Sequence, residues 1–350
     1  MEKPSEGRLD WIDELRGVAA LSVLGGHCRL LFQDSSMTLT FLDVFPRGVQ
    51  LFYLLSGLIL YQLYQEKVTE LQGYWAFLIR RFFRIAPMFY VAVFLCVGLF
   101  PSRVIDAPAN IITHLSLLSF GFNPKFLNGI VGVEWSVFVE CWFYVLFPAL
   151  VLLFRKWPYV TALTTLGISA LQTGFVYLKE TDVLTRTFFY NMPTAQLCFF
   201  VLGMFLADAL RRPPLRQPQY LFGASLVSLL ALPYLVKPFT LQLYLSYFLL
   251  AAMVYSYASL DRPKVVRMLL GFAGLTSYSI YLLHIPVIEL TRQIDLVAPP
   301  VKLVMMLSAL FAVCFMTYKY IELPGIRHGH RWSHKFLASH GLNDAKRIAS

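Results

Sequence analysis

A chain of 350 residues that is 57% hydrophobic and only 14% charged, with a mean hydropathy of +0.61, lies outside the range of soluble domains. Its apolar residues come in blocks of about twenty, separated by short polar joints, which is the signature of a polytopic helical membrane protein. The formal net charge of +10 would suit nucleic acid in a soluble chain. In a membrane protein excess Lys and Arg marks loops on the cytoplasmic side, so no nucleic-acid partner is expected.

Ten segments read as membrane helices: 17–33, 48–64, 85–100, 137–154, 159–177, 190–210, 219–236, 241–259, 268–290 and 300–321. A shorter apolar piece, Asn110 to Phe120, is too brief to span and reads as re-entrant or interfacial. The expected fold class is therefore all-α, a bundle of about ten transmembrane helices in contact with membrane lipid. A single membrane domain is expected over 1–350, with an N-terminal segment 1–16, the bundle 17–321 and a basic tail 322–350. No appended soluble domain is read. The first apolar block lacks a small-residue cleavage site, so it reads as a retained helix and not as a signal peptide. Basic residues fix the orientation: Arg16, Lys67, Arg80, Arg81, Arg84, Arg155, Lys156, Arg211, Arg212, Arg262, Lys264, Arg267, Arg327 and Arg331 fall on one side together with Lys3 and Arg8. Both termini are expected in the cytoplasm, the protein being multi-pass in the inner (plasma) membrane. Cys28, Cys96, Cys141, Cys198 and Cys314 lie inside apolar blocks without close pairing, which argues against disulfides and metal. The tail with His328, His330, His334 and His340 reads as a solvated basic end, because no carboxylate or Cys supports a metal set there.

Several ionisable or polar residues stand out from this apolar background. His27 follows Arg16 after ten intervening residues, a rise of about 16 Å on a helix. If Arg16 heads the first span, His27 lies near mid-membrane, where an ionisable side chain is functional by default. The alternative is a histidine that only hydrogen-bonds a neighbouring helix. Arg81 and Arg84 are three apart and share a helix face, at the end of a joint that precedes the third span. Ser136 and Glu140, four apart, share a face at the start of the fourth span. His284 precedes Pro286, whose ring breaks a helical bond and leaves a carbonyl free; it either lines a cavity or is structural. Glu322 reads as closing the last span through nearby arginines, and His114 reads as structural.

Taken in order, these stretches resemble the membrane-bound acyltransferase 3 family. They are Ile12-Asp13-Glu14-Leu15-Arg16-Gly17 with His27, Gly48 to Gly57, Phe77 to Pro87 with its Arg-x-x-Arg, Glu134-Trp135-Ser136 to Tyr144, Tyr278 to Pro286, and Tyr320 to Pro324. The resemblance implies an O-acetyltransferase without an appended periplasmic domain. Such an enzyme moves an acyl group, usually acetyl from acetyl-CoA, to a hydroxyl of a glycan such as an exopolysaccharide or lipopolysaccharide; a secondary metabolite such as a macrolide is the alternative acceptor. Acetyl-CoA is then a co-substrate and no metal is required. Under this reading Arg81 and Arg84 hold the donor's phosphates, guanidinium forks matching phosphate oxygens. Arg16 either helps position the donor or pairs with Asp13. His27 is the candidate general base. Glu140 orients or charges His27, grips the acceptor hydroxyl, or is a plain buried acid, while Trp135, Ser136 and His284 are placed on the substrate side. Two departures from the family pattern are visible: Cys141 and Trp142 stand where many members have an acid and an amide, and Glu14 replaces a small residue. The rival class is a transporter. It would need a midplane site but no phosphate clamp, and the two halves show no matched breaks.

Overall fold

The computed structural model describes residues 10–32, 47–105, 109–118, 129–179, 182–236, 238–294 and 297–341. Every regular element among them is helical. The ends of the expected terminal segments, with Lys3 and Arg8, lie outside the described residues, as do positions 119 and 120 of the short apolar piece.

The first helix differs from expectation at both ends. α1 runs Asp10–Cys28 and continues only as a tight turn over Arg29–Phe32. Asp10 and Asp13 in its first turn favour an earlier start through the helix dipole, and Gly25-Gly26 weakens it before Cys28. Arg16 is consequently in the second turn and His27 in the last, instead of at the head and the middle. α2 spans Gly48–Tyr64. α3 spans Leu71–Leu99, far longer than the 85–100 expected. Its first half mixes Arg with aromatic residues, so hydropathy hides it; Gly73, Ala76 and Phe77 there are buried, while Trp75 and Phe82 are exposed. Arg80, Arg81 and Arg84 are thus within a helix and do not end a joint.

Two short helices, α4 (Ser102–Ile105) and α5 (Ala109–Leu115), precede α6, Trp135–Lys156. α7 is Pro158–Lys179. The 190–210 segment extends backward as α8 (Val183–Asn191) and α9 (Pro193–Ala209), broken at Met192. α10 (Pro218–Leu235) and α11 (Phe239–Tyr257) follow. The expected single span 268–290 is a bent pair, α12 (Lys264–Leu275) and α13 (Ser277–Arg292), meeting at 70°. The bend seats α12 across α1, where a Cβ on Gly274 would lie 1.8 Å from the Asp13 carbonyl oxygen. α14 (Pro299–Thr317) passes through a wide turn, Tyr318–Glu322, into α15, Leu323–Ser339. α15 is not a solvated tail. Gly325, Gly329, Ser333 and Leu337, spaced four apart, are buried, and the helix packs along α3.

All ten expected segments are helical. Among the described residues, seven helices are by length and composition able to cross a membrane, or eight when the bent pair counts as one span. α2 falls short at 17 residues. α7 is diluted by Thr161, Ser169 and Thr173, which face the interior and are buried. Its other face exposes Leu163, Leu171, Phe175 and Leu178, the pattern of a lipid-facing surface. The interior is built on rings, with Phe77, Phe89, Phe138, Phe143, Phe147, Phe154, Phe199 and Phe200 fully buried, and all five cysteines are buried free thiols.

α2 and α9 approach so closely that a Cβ on Gly57 would sit 2.0 Å from the Phe200 carbonyl oxygen. Small residues permit such backbone contact between membrane helices. Gly57→Val is expected to destabilise the fold by about 1–3 kcal/mol or more and to displace Ser56. A drop in thermal stability on fluorescence-detected gel filtration checks it; an unshifted transition would show that the helices can separate freely.

Candidate active site

The end of α1 sets the first element of the site. His27 Nδ1 lies 2.9 Å from the Val23 carbonyl oxygen, one turn back. On α13, His284 Nδ1 lies 3.1 Å from the Ile280 carbonyl oxygen. A carbonyl only accepts, so each ring carries its proton on Nδ1. His284 Nε2 is then a bare lone pair, and it sits 3.3 Å from His27 Nδ1. His27 Nδ1–H is shared between Val23 and His284, which leaves His27 Nε2 unprotonated. The rings are 5.0 Å apart between centroids. His284 is completely buried, whereas His27 is half-buried and accessible to a hydroxyl group. His284, expected either to line a cavity or to be structural, is therefore the direct partner of the expected base.

One turn along α13 from His284, the Tyr281 ring approaches it at 6.0 Å. The Ser136 hydroxyl donates to Tyr281 Oη at 2.6 Å, and Tyr281 Oη–H donates to the Val133 carbonyl oxygen at 3.1 Å. Trp135, half-buried, packs edge-on to Tyr53. The loop before α6 is tied down by Glu134, whose carboxylate accepts from the backbone N–H groups of Ile130, Val131 and Gly132 and bonds His114 Nε2. His114 and Glu134 are both fully buried, in keeping with the structural reading of His114. Glu134→Ala should loosen this loop at a cost of about 1–3 kcal/mol for each buried donor left without an acceptor. Hydrogen exchange at Ile130–Gly132 reads it directly, and unchanged protection would refute it.

Glu140, a turn deeper on α6, does not meet His27. Its Oε1 accepts from Ser56 at 3.0 Å and from Tyr144 at 2.6 Å. Hydroxyls on α2 and α6 thus occupy it, because the histidine it was expected to orient is turned toward α13. Glu140 instead lines two neighbouring cavities. One is lined by Phe52, Tyr53, Ser136, Tyr278 and Tyr281 together with Arg16, Ser56 and Glu140. The other carries Arg81, Arg84 and Tyr144 together with the same Arg16, Ser56 and Glu140.

The second cavity is strongly basic. Arg81 donates to Tyr64 Oη at 3.3 Å and stacks near the rings of Tyr64, Phe77 and Tyr144, which fixes its fork. Arg16 interacts electrostatically with Arg84, Asp13, Glu140 and Tyr144, so attraction to Asp13 and placement in the cavity coexist. Glu322 adds an acid that the sequence reading had placed at a helix end. It is buried, accepts from the Ser279 hydroxyl and interacts electrostatically with Arg84 and Arg16. Ser56, Tyr144 and Tyr281 were also missed as partners, although Tyr144 stands four residues from Glu140 on one face. Glu14, two residues before Arg16, points away: it pairs with Arg262 at 2.9 Å and accepts from Tyr257 at 2.7 Å.

Comparison with known proteins identifies relatives of the chain. The chain is 25% identical to the peptidoglycan O-acetyltransferase OatA of Listeria monocytogenes, over 91% of its own length and 56% of that protein. It is equally similar to two Staphylococcus aureus proteins, of strains COL and MSSA476, each named “Putative O-acetyltransferase”. Those alignments cover 92% and 91% of the chain and 58% and 57% of the relatives. The chain thus spans less than two thirds of the length of these relatives. No solved structure matches it. A family model described as an acyltransferase domain matches residues 9–319, from the start of α1 to the wide turn after α14, and the chain belongs to the acyltransferase 3 family.

Proposed function

We propose that this protein is a multi-pass O-acetyltransferase of the plasma membrane that moves an acetyl group from acetyl-CoA to a hydroxyl of a carbohydrate, most directly an exported or cell-surface glycan. The observation that carries the reading is the pair of neighbouring cavities that share Arg16, Ser56 and Glu140 in their walls. Arginines populate one end, hydroxyls and aromatic rings the other. Acyl-CoA fits the first, because its phosphates need fixed cations and its pantetheine arm is long and thin. Aromatic faces with Ser136 and Glu140 suit a sugar in the second. With both termini cytoplasmic, the arginine cavity faces the compartment that holds acyl-CoA.

In this reading the acceptor hydroxyl gives its proton to His27 Nε2 as its oxygen attacks the thioester carbonyl carbon. The carbon–sulfur bond then breaks, and the imidazolium returns the proton to the leaving thiolate. His284 Nε2 accepts from His27 Nδ1–H throughout and so stabilises the imidazolium, the task an acid performs in a serine-protease triad. Glu140, held by Ser56 and Tyr144, takes a hydrogen bond from the acceptor or draws Arg16 toward the thioester. A relative named as a peptidoglycan O-acetyltransferase supports a glycan acceptor.

The test is purified protein in detergent with acetyl-CoA labelled on the acetyl group and a panel of the host's glycan fragments. CoA release coupled to label on a sugar hydroxyl is the expected outcome. Failure to bind acetyl-CoA at all would overturn the reading in favour of a carrier.

A further inference from the structure

We infer that Tyr53, Trp135, Tyr190 and Phe239 form a track for a glycan chain leading into the acceptor cavity, and that Gln50 accepts a hydrogen bond from a hydroxyl of that chain. The acceptor is then an oligosaccharide or polymer, in place of a single sugar or a small metabolite. This rests on the O-acetyltransferase reading above and narrows its acceptor.

The track starts inside the site. Tyr53 lines the cavity that holds Ser136 and Glu140. Its ring meets that of Trp135 edge-on at 6.4 Å between centroids. Trp135 is tilted against Tyr190 at 6.2 Å, and Tyr190 is edge-on to Phe239 at 5.5 Å. Tyr53 is buried, whereas the other three are half-buried, so the rings pass from the interior to the surface. The track lies away from the arginines. Leu63, in the last turn of α2, and Tyr144, in the third turn of α6, line the arginine cavity, whereas Trp135 is the first residue of α6 and Tyr53 is in the second turn of α2.

Polar groups are fitted to the rings. Gln50, one turn before Tyr53 on the same face of α2, donates from Nε2 to Tyr190 Oη at 2.6 Å. Gln196 Nε2 donates to the Tyr190 carbonyl oxygen at 2.7 Å. Both glutamines are buried, at 1% and 0% exposure, so two interior amides hold one half-exposed tyrosine in place. Gln50 Oε1 is buried with no donor among the described residues, a costly state until a donor reaches it. Arg47 stands 5.0 Å from the Phe239 centroid and steadies the outer ring. Sugars match this set, since their hydroxyls donate and their apolar faces lie on aromatic rings. Aromatic residues that only seat a protein at the bilayer interface face the headgroups; these face one another and the cavity.

The experiment is calorimetric titration of the full-length protein, in a nonionic detergent without a sugar headgroup, with two series of probes. One is N-acetylglucosamine with its linear dimer and tetramer, the other glucose with its linear dimer and tetramer. In at least one series affinity should rise roughly tenfold from the single unit to the tetramer, the scale of one or two ring contacts. Tyr190→Leu with Phe239→Leu keeps apolar bulk without flat rings and should lower the tetramer to the affinity of the single unit. Phe239→Trp, which keeps a ring, should preserve the rise. Gln50→Leu should weaken the tetramer by roughly fivefold to tenfold, the worth of one hydrogen bond. Affinities in wild type that do not rise with length in either series would overturn the track. So would a rise that survives in the double Leu variant, or a loss there that is equal for all lengths. Titration of the same preparations with acetyl-CoA separates the two readings. Donor bound with no dependence on glycan length discards the track alone, whereas a protein that binds no donor removes the O-acetyltransferase reading beneath it. Gel filtration of each variant ensures that a change in affinity is read on folded protein.

Discussion

His27→Ala should lower acetyl transfer by about 10²–10⁴-fold, the usual contribution of a positioned general base, with acetyl-CoA binding left within roughly twofold of wild type. The two parts separate because His27 is outside the arginine cavity: α1 rises about 16 Å between Arg16 and His27. Near-normal turnover would remove His27 as the base. His284 gives the control that a purely structural histidine would not pass. His284→Gln keeps a carbonyl oxygen that can accept from His27 Nδ1–H, whereas His284→Leu fills space without accepting. The Gln variant should retain more activity than the Leu variant at equal thermal stability. In the Leu variant the loss should fall on kcat and not on KM, since the partner acts on the base and not on the substrate. Equal losses in the two variants would reduce His284 to packing.

How much of this was written in the sequence depends on the range over which each feature is encoded. The helices are local, and periodicity with hydropathy located every expected segment. What failed locally was α3, where Arg80, Arg81 and Arg84 interrupt the apolar run although the helix passes straight through them. Spans long enough to cross a bilayer are recognised by apolarity; the second half of α3 meets that test, but its arginine-bearing first half does not announce itself. The Arg81/Arg84 spacing was legible because three residues bring side chains onto one face. Likewise Ser136, Glu140 and Tyr144 are separated by single turns of α6.

Contacts between helices were not legible in this way. His27 and His284 meet across 257 residues, and nothing in either segment alone indicates that the second ring turns its lone pair to the first. Glu140 illustrates the converse. Its carboxylate could have served either neighbour, and the choice of Ser56 follows from the close approach of α2 to α9, which a glycine at 57 permits. Glu322 looked like a helix end because Leu323-Pro324 follows it. In the structure a wide turn carries the chain through that proline into α15 and leaves the acid facing inward.

Arg81→Ala together with Arg84→Ala should weaken acetyl-CoA binding by about 10²–10³-fold. Each hydrogen bond to a charged group is worth about 1.5–3 kcal/mol, and two contacts to one ligand add incompletely. The single variants should differ in character. Arg81 is clasped by Tyr64 and stacked near Phe77 and Tyr144, so its removal also unpacks aromatic surface and should lower thermal stability. Arg84 interacts with Arg16 and Glu322, and its removal should leave stability nearer to wild type. Arg84→Lys keeps the charge but loses the planar fork, so it should bind donor at an affinity between wild type and Arg84→Ala. Raising salt should weaken the wild type more than the double variant, because screening acts on charges the variant no longer has. The measurement is donor titration of detergent-purified protein with the melting transition recorded in parallel. Unchanged donor affinity in the folded double variant would discard the phosphate clamp. It would also return the two cavities to the reading of a carrier, for which a basic patch at one mouth is only membrane anchoring.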